Sequence, residues 1–311
     1  MHTPAGEWFE RATSLAADWD PQSLVAAKGG RGISVVIPAR NEVATIGAIV
    51  AGLREALIEK IPLVDEIVVM DSDSSDETST AAAAAGATVH RVRDVRPELG
   101  LNPGKGEALW KSQFVTSGDI LVFIDADLTG WGPHFVSGLV GPLVTSADVR
   151  LVKGFYDRVL DDGSDQQAPQ GGRVTELVAR PLLNLYWPDL AHVVQPLAGE
   201  WAVRRETFAM LDVPIGYGVE IAALLDIAQH YGIDAVAQVD LGERAHTHQS
   251  VHDLGVMAAE LLAVVGRRLH TRPPSASELW QFGRDGDSLW AARAVPTVER
   301  PPALSVADLP C

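Results

Sequence analysis

Two acidic residues, Asp125 and Asp127, follow a short apolar run in the middle of the chain. The run at residues 120–124 is rich in β-branched and aromatic side chains, which predicts a buried strand of a parallel sheet. Because strand side chains alternate between faces, carboxylates two residues apart can lean toward one point. Hard oxygen donors at a strand end suit Mg²⁺ or Mn²⁺. We therefore predict a divalent cation site here. Two solvated loop aspartates are the alternative, since Asp-x-Asp also occurs at residues 18–20 and 71–73.

A lysine between two glycines, Lys105, marks a second candidate segment. Gly104-Lys105-Gly106 is similar to part of a P-loop, but leucine stands at position 99, where the first glycine of that motif belongs, and Gly106 replaces its serine or threonine. We therefore reject a P-loop. The residues instead predict a flexible turn whose backbone N–H groups and lysine approach an anion at a helix N-terminus. A surface turn with a solvated lysine fits the same residues.

A third segment places polar groups at another predicted helix start. Gly172 is followed by Arg173, Val174 and Thr175, so a guanidinium and a hydroxyl fall in the first turn. Backbone N–H groups at a helix N-terminus and an arginine fork together suit a phosphate or a carboxylate. A plain helix start with a surface arginine is the alternative.

A fourth segment surrounds Tyr217. Gly216 and Gly218 permit close approach of the backbone to a ligand. Glu220 falls at the start of the apolar helix that follows, where its charge could bind a ligand or merely favour the positive end of the helix dipole.

Two histidines, His246 and His248, follow a predicted strand at residues 235–241. Neutral imidazole is a common metal ligand and could supply a donor that the aspartates lack. Zinc is one interpretation of a histidine pair. Because the single cysteine is residue 311, we favour a Mg²⁺ or Mn²⁺ site that combines an aspartate with a distant histidine.

These segments lie between strands and helices that alternate along the chain, which predicts right-handed crossovers and a doubly wound, mostly parallel α/β sheet. Asn41 is expected to cap the helix after the first strand. A dinucleotide-binding fold would need glycines at residues 38–42, where there are none. The strands are predicted at residues 33–38, 66–70, 88–92, 120–124, 150–156 and 235–241.

Composition excludes several function classes. The formal net charge of −16 opposes nucleic-acid binding, which needs a basic surface. No apolar run reaches the roughly 18 residues of a membrane span, and the acidic N-terminus lacks the pattern of a signal peptide. We therefore expect a cytoplasmic protein without a membrane or nucleic-acid partner. Residues 1–30 are predicted to form a helical arm. The proline-rich residues 271–311 are predicted to form an extended tail that covers the body or a neighbouring subunit, or that is partly disordered.

Taken together, the segments resemble the GT-A glycosyltransferases and, more narrowly, the actinobacterial glucosyl-3-phosphoglycerate synthases. Blocks that are similar to that family occur in the same order over about residues 31–265. Seven blocks in order are far more specific than any one motif. They lie at residues 38–42, 71–72, 103–110, 123–128, 171–182, 216–221 and 244–246.

The resemblance implies a GT-A fold with a nucleotide-sugar part at residues 31–150 and an acceptor part at residues 151–270. It also implies transfer of glucose from UDP-glucose to the 2-hydroxyl of 3-phosphoglycerate, with retention at the anomeric carbon, Mg²⁺ or Mn²⁺ as cofactor and a homodimer as the assembly.

The family's functional residues carry over position by position. Asp127 and His246 would hold the metal, and Glu220, Asp127 and Lys105 would be the catalytic groups, with Glu220 positioning the sugar and forming no covalent bond to it. The acceptor would bind Gly172, Arg173, Val174, Thr175 and His248. The donor would bind Pro38, Ala39, Arg40, Asn41, Glu42, Asp71, Ser72, Lys105, Asp125, Ala126, Tyr217, Gly218, Glu220 and Arg244.

Two positions depart from the family pattern. Arg40 stands where an apolar residue beside the uracil is expected, and His248 where an asparagine near the acceptor is expected. Mannosyl transfer from GDP-mannose on the same scaffold is therefore an alternative. A non-catalytic nucleotide-sugar binder is an alternative of another class. A sugar-nucleotide pyrophosphorylase is disfavoured, because residues 38–42 lack a glycine-rich triphosphate loop.

Overall fold

The computed structural model describes residues 4–160, 172–246, 250–269, 278–282, 290–307 and 309–310, and within these residues an eight-stranded sheet runs through the molecule. The strands of the chain are β1 Thr13–Leu15, β2 Ile33–Ala39, β3 Glu66–Asp71, β4 Thr88–Arg91, β5 Ile120–Phe123, β6 Leu151–Leu160, β7 Trp201–Arg204, β8 Val213–Pro214, β9 Val236–His246, β10 Glu278–Phe282, β11 Trp290–Ala294 and β12 Glu299–Arg300. The order in the main sheet is β1-β9-β6-β7-β5-β2-β3-β4.

Strand directions follow the predicted doubly wound pattern. β2 pairs in parallel with β3 and β5, β3 with β4, and β9 with both β6 and β1. Only β7, among the strands of this described sheet, is antiparallel to both of its neighbours, β5 and β6. The prediction of a mostly parallel α/β sheet is confirmed.

Helices cover both faces of the sheet. None in the described part of the chain is long and apolar enough to cross a membrane. They are α1 Pro4–Ala12, α2 Pro21–Ala27, α3 Ile46–Arg54, α4 Thr78–Ala84, α5 Lys105–Ser112, α6 His134–Thr145, α7 Arg180–Tyr186, α8 Arg205–Phe208, α9 Val219–Tyr231, α10 Val251–Arg268 and α11 Ala303–Val306. A π-helical turn at Thr175–Ala179 leads directly into α7.

The continuous apolar runs of the central strands follow from burial on two sides. Val35 and Ile37 of β2 belong to a hydrophobic cluster with α3 and α6. Val36, between them, belongs to a second cluster with α5, α9 and α10. Successive side chains point to opposite faces of a strand, so both faces of such a strand carry apolar side chains.

The N-terminal residues differ in part from the predicted helical arm. Thr13–Leu15 forms the edge strand β1, which pairs with Gln238–Asp240 of β9. A three-residue strand is too short to leave a periodic signal, and the open backbone groups of β9 supply its hydrogen bonds. The arm also packs on the body, because Trp8 is fully buried and its Nε1 donates to the Val236 carbonyl over 2.9 Å.

The expected helix cap at Asn41 is wrong. α3 begins only at Ile46, and Asn41 adopts a left-handed backbone with φ 60°. Its Oδ1 instead accepts a hydrogen bond from the Ser75 N–H over 2.8 Å. Asparagine tolerates this conformation, so the residue ties together two loops at the end of the sheet.

The described residues of the predicted C-terminal tail include short strands. β10 and β11 form an antiparallel hairpin, and β12 pairs with β8. Val295 and Ala303 are buried against the body. β12 depends on a partner strand far along the chain, β8, so no local sequence pattern predicts it.

Truncation of Trp8 tests whether the arm is part of the fold. Trp8→Ala should lower the free energy of unfolding by about 3–5 kcal/mol, because it removes a buried indole and leaves a cavity. Phe9→Ala is the matched control. Phe9 is the next residue and also aromatic, but it is 37% exposed, so the free energy of unfolding should change by under about 1 kcal/mol. Urea unfolding measures the free energy of unfolding of both variants. A change for Trp8→Ala as small as that for Phe9→Ala would show that the arm does not contribute to the core.

Candidate active site

Strand direction brings the candidate groups to one edge of the sheet. Asp125 lies two residues beyond the end of β5, at the carboxyl edge where open α/β sheets bind ligands. Because β7 is antiparallel, its first residue Trp201 is paired with Phe123, the last of β5. The reversed strand therefore places Glu200 at the same edge.

Lys105 lies between two carboxylates. Its Nζ is 2.5 Å from Asp125 Oδ1 and 2.8 Å from Glu220 Oε1. Burial alone would lower the pKa of the Lys105 ammonium, but the two negative charges outweigh that effect and raise the pKa. In the same way, burial would raise the pKa of Asp125, whereas Lys105 and Arg244 hold it below its usual value. Lys105 and Asp125 are thus both charged in the neutral pH range.

Arg244 is the second buried cation of the edge. Its Nη2 lies 3.0 Å from Asp127 Oδ1 and 3.7 Å from Asp125 Oδ2, while its Nη1 lies 3.0 Å from Glu200 Oε1. Nη1 also donates to the Tyr156 hydroxyl over 2.6 Å. The single guanidinium therefore connects both predicted aspartates to β6 and β7.

Sequence reasoning missed Lys153 and Glu200, which are both fully buried beside this cluster. Lys153 Nζ donates to the Ala198 carbonyl over 2.7 Å and lies over the Trp201 ring. Burial lowers the pKa of Lys153 to about 8 and raises the pKa of Glu200. A signal existed for Lys153, since a charged side chain within an apolar strand must meet a partner. Glu200 carried none, because only the sheet order places it here.

Two glycines are required because other groups approach the backbone closely. A Cβ at Gly199 would lie 2.1 Å from Asp125 Oδ2, and one at Gly106 would lie 1.8 Å from the Pro214 carbonyl oxygen. Such distances leave no room for any side chain. At the start of α5 the Gly106 N–H donates to the Gly216 carbonyl over 3.3 Å, and the predicted approach of an anion to this turn stays a prediction.

The loop around Tyr217 is fixed by an acid from a distant helix. Glu260 of α10 accepts a hydrogen bond from the Tyr217 N–H over 2.6 Å, and a Cβ at Gly216 would collide with its carboxylate. Burial raises the pKa of Glu260 to about 7. Gly218 precedes α9, so Glu220 lies in the first turn of that helix and reaches Lys105.

The residues assigned to the nucleotide lie along the carboxyl ends of β2, β3 and β5. Arg40 is exposed there, while Asp71 is buried and accepts hydrogen bonds from the Ser74 N–H and the Ser79 hydroxyl. Burial and the negative charge of Asp127 raise the pKa of Glu42. The complete set is Pro38, Ala39, Arg40, Asn41, Glu42, Asp71, Ser72 and Ala126.

The residues assigned to the acceptor are described in part. Arg173 is exposed, and Val174 and Thr175 are buried in the first turn of the helix that continues into α7. Gly172 immediately precedes it. This turn packs against α10, the helix that also holds Tyr217 through Glu260. His248 lies outside the described residues.

Of the two predicted metal ligands, the structure describes the side chain of Asp127 and not that of His246. The Asp127 carboxylate is 54% exposed, and its Oδ2 makes no hydrogen bond within the described part of the chain, so one hard oxygen faces outward. His246 is the last residue of β9, two positions after Arg244, and its side chain lies outside the described part. No group of three or more acidic, histidine or cysteine residues that could hold a metal ion occurs among the described residues. The pairing of Asp127 with His246 stays a prediction.

Known proteins of two kinds are similar to this chain. The model of the family "Glycosyl transferase family 2" matches residues 34–185. A glucosyl-3-phosphoglycerate synthase of Mycobacterium tuberculosis is 47% identical over 291 residues, which cover 91% of this chain and 89% of the relative. One from Petrotoga mobilis is 43% identical and covers 89% and 87% of the two chains.

Solved structures agree with these relatives. The crystal structure of the M. tuberculosis glucosyl-3-phosphoglycerate synthase has a TM-score of 0.85 and 43% identity, covering 96% of this chain and 100% of that one. A complex of that enzyme with Mn²⁺, UDP-glucose and phosphoglyceric acid has a TM-score of 0.83 and 44% identity, covering 93% and 96%. The sheet described above is therefore a GT-A sheet.

Glu260 should make stability depend on pH. Its pKa rises from 4.5 to about 7 on folding, so the folded protein keeps a proton that the unfolded chain releases, and stability falls as pH rises across that interval. Glu260→Gln removes the titration but keeps an oxygen for the Tyr217 N–H. The stability gained by the variant over wild type should grow between pH 4.5 and 7 by no more than about 1.4 kcal/mol per pH unit.

Chemical denaturation at several pH values measures this difference. Glu10→Gln, an exposed change on α1, is the control and should follow the wild-type curve. Parallel curves for Glu260→Gln and wild type would contradict the assignment.

Proposed function

The chain belongs to the glucosyl-3-phosphoglycerate synthases, and from that membership we propose that it transfers glucose from UDP-glucose to the 2-hydroxyl of 3-phosphoglycerate, with Mn²⁺ or Mg²⁺ as cofactor. The observation that carries the proposal is the ion-paired cluster of Lys105, Asp125 and Glu220 at the carboxyl edge of the sheet, with side chains only 5–23% exposed. A non-catalytic remnant would have no reason to keep a charged cluster that is costly to bury.

Fixed cations suit a reaction that releases a nucleoside diphosphate. Lys105 stays protonated because Asp125 and Glu220 raise its pKa, and Arg244 is held beside Asp127. We propose that both approach the diphosphate of the donor. Preorganised charges in a water-poor site stabilise developing charge more than mobile charges in water do.

The residues present fit a divalent cation. Asp127 has a carboxylate oxygen without a hydrogen-bond partner among the described residues, of the hard kind that Mn²⁺ and Mg²⁺ prefer, and its other oxygen is fixed by Arg244. We propose Asp127 and His246 as its protein ligands. When bound, the cation would supply positive charge at the leaving diphosphate.

Glu220 is proposed to position the sugar. Its carboxylate is already paired with Lys105 at 2.8 Å and is buried at the start of α9. We propose retention by attack on the face that the diphosphate leaves. The bond from the anomeric carbon to the phosphate oxygen breaks, the bond to the acceptor oxygen forms, and the hydroxyl proton passes to the departing phosphate.

The acceptor is proposed to bind at the helix start formed by Gly172, Arg173, Val174 and Thr175, together with His248. Backbone N–H groups of a first turn and an exposed guanidinium suit a molecule that carries a phosphate and a carboxylate. The remaining donor residues are proposed from the family pattern, and so is the division into a nucleotide-sugar part at residues 31–150 and an acceptor part at residues 151–270.

We propose a cytoplasmic location, because both substrates are multiply charged phosphate esters that do not cross a bilayer unaided. We also propose a homodimer. Its support is apolar surface on the helices after residue 172 and on α10, where Leu177, Leu185, Tyr186 and Leu262 are exposed.

The direct test is nucleotide release by the purified protein. With UDP-glucose, 3-phosphoglycerate and Mn²⁺ we expect stoichiometric UDP and a glucosylated phosphoglycerate, and no turnover after exhaustive chelation. Faster turnover of GDP-mannose would favour the mannosyl alternative, to which the exposed Arg40 is relevant. Donor binding without nucleotide release for any phosphorylated acceptor would instead identify a non-catalytic binder.

A pair of substitutions should separate the two ends of the site. Asp127→Ala is expected to lower turnover by about 10²–10³, because the cation and Arg244 lose their shared carboxylate. Arg173→Ala should leave the donor KM nearly unchanged. It should raise the acceptor KM by about tenfold to a hundredfold, because it removes a hydrogen bond to a charged group of the acceptor.

Steady-state kinetics with each substrate varied in turn provides the measurement. The control is Arg11→Ala, which removes an exposed arginine paired with Asp234 at the N-terminal arm. Equal changes in the two KM values for Arg173→Ala would show that the acceptor lies elsewhere.

A further inference from the structure

Residues 295–307, here called the C-terminal strap, lie against a segment that leads into the site. Within the strap, β12 pairs with β8 so that Arg300 is opposite Val213. The Val298 carbonyl accepts a hydrogen bond from the Ile215 N–H over 3.2 Å. Ile215 is two residues before Tyr217, so the strap supports the loop that carries the proposed sugar-binding groups.

The strap also reaches the helix of Lys105 through one ion pair. Arg300 Nε lies 2.7 Å from Glu107 Oε2, and its Nη2 lies 2.6 Å from Glu107 Oε1. This is a bidentate pair in which the carboxylate is fully buried. Glu107 is two residues after Lys105 in the first turn of α5.

The remaining donors of the same guanidinium hold the turn before Lys105. Nη1 donates to the Leu99 carbonyl over 2.7 Å and Nη2 to the Gly100 carbonyl over 3.2 Å. The guanidinium lies over the Trp110 ring at 4.8 Å from its centroid. Arg300 thus contacts the chain on both sides of Lys105 without touching the lysine.

Backbone hydrogen bonds join the start of α5 to the loop around Tyr217. The Gly106 N–H donates to the Gly216 carbonyl over 3.3 Å, and the Glu107 N–H to the Ile215 carbonyl over 3.0 Å. The start of α5 therefore rests on the Tyr217 loop, and that loop rests on the strap. A shift of the strap would move Lys105 and the Tyr217 loop together.

We propose that Arg300 is a positioning residue of the donor site, acting through Glu107 and the turn at residues 99–104 to hold Lys105 where the donor's diphosphate binds. Only the identity of the ligand rests on the proposed function. Arg300 itself contacts no substrate, and a lysine cannot replace it, because an ammonium cannot bond both oxygens of Glu107 and two carbonyls in this fixed geometry.

Three variants test the proposal. Arg300→Lys keeps the charge and loses the bidentate geometry. The double change Arg300→Leu with Glu107→Gln removes both charges of the pair but keeps an oxygen for the Asn102 N–H and for the buried Lys111, whose Nζ lies 3.8 Å from Glu107 Oε1. The matched control is Glu299→Gln, since the neighbouring strap residue pairs with Arg268 of α10 at 2.9 Å and not with Glu107.

The readouts separate positioning from stability. With Mn²⁺ present, Arg300→Lys and the double variant should bind UDP about tenfold or more weakly, and UMP within about twofold of wild type, because UMP lacks the β-phosphate that Lys105 is proposed to meet. Amide hydrogen exchange should accelerate at Gly106 in both variants and at Glu107 in Arg300→Lys. Glu299→Gln should leave nucleotide binding and both amides unchanged, although its melting temperature falls.

Two results would overturn the proposal: UDP and UMP affinities that change by the same factor in Arg300→Lys, or wild-type exchange at Gly106 and Glu107 despite a lower melting temperature. Failure of the proposed function looks different. In that case wild-type protein forms no product, while the nucleotide and exchange comparisons still decide the role of Arg300.

Discussion

The burial of two cations among carboxylates at one edge of the sheet is the interaction on which the site depends. Lys105 is neutralised by Asp125 and Glu220, and Arg244 by Glu200 and Asp127. Taking an isolated charge out of water costs several kcal/mol, so each of these groups is stable only while its partners stay in place. The site is therefore a single electrostatic unit, and the surrounding fold has to hold all of its members together.

This constraint explains why the backbone is packed so closely around the cluster. Gly199 leaves the space that the Asp125 carboxylate occupies, and Gly106 lets the start of α5 lie on the Pro214 carbonyl. A side chain at either position would move a charge away from its partner. Both glycines are therefore needed to keep the charged groups paired as well as to form the local backbone.

The same cluster reconciles a strongly acidic protein with anionic substrates. A net charge of −16 gives no long-range attraction for a nucleotide sugar or a phosphoglycerate. Binding must therefore come from short-range contacts with cations that cannot move away. Burial of Lys105 and Arg244 fixes them, and a divalent cation at Asp127 would add the charge that the protein surface lacks.

The sequence by itself determined the alternation of strands and helices, the strand-end aspartates and the lysine at a helix start, because these depend on local periodicity and turn chemistry. It also indicated Tyr217 and Glu220 through their glycine neighbours. Tertiary structure alone decided that Glu200 and Lys153 join the cluster, since an antiparallel β7 carries one to the edge and the burial of β6 encloses the other. It decided equally that Asn41 bonds a neighbouring loop and that Glu260 and Arg300 hold the Tyr217 and Lys105 segments. Those contacts join residues far apart in the chain, and a hydrogen bond or an ion pair of that kind leaves no periodic trace in the residues that make it.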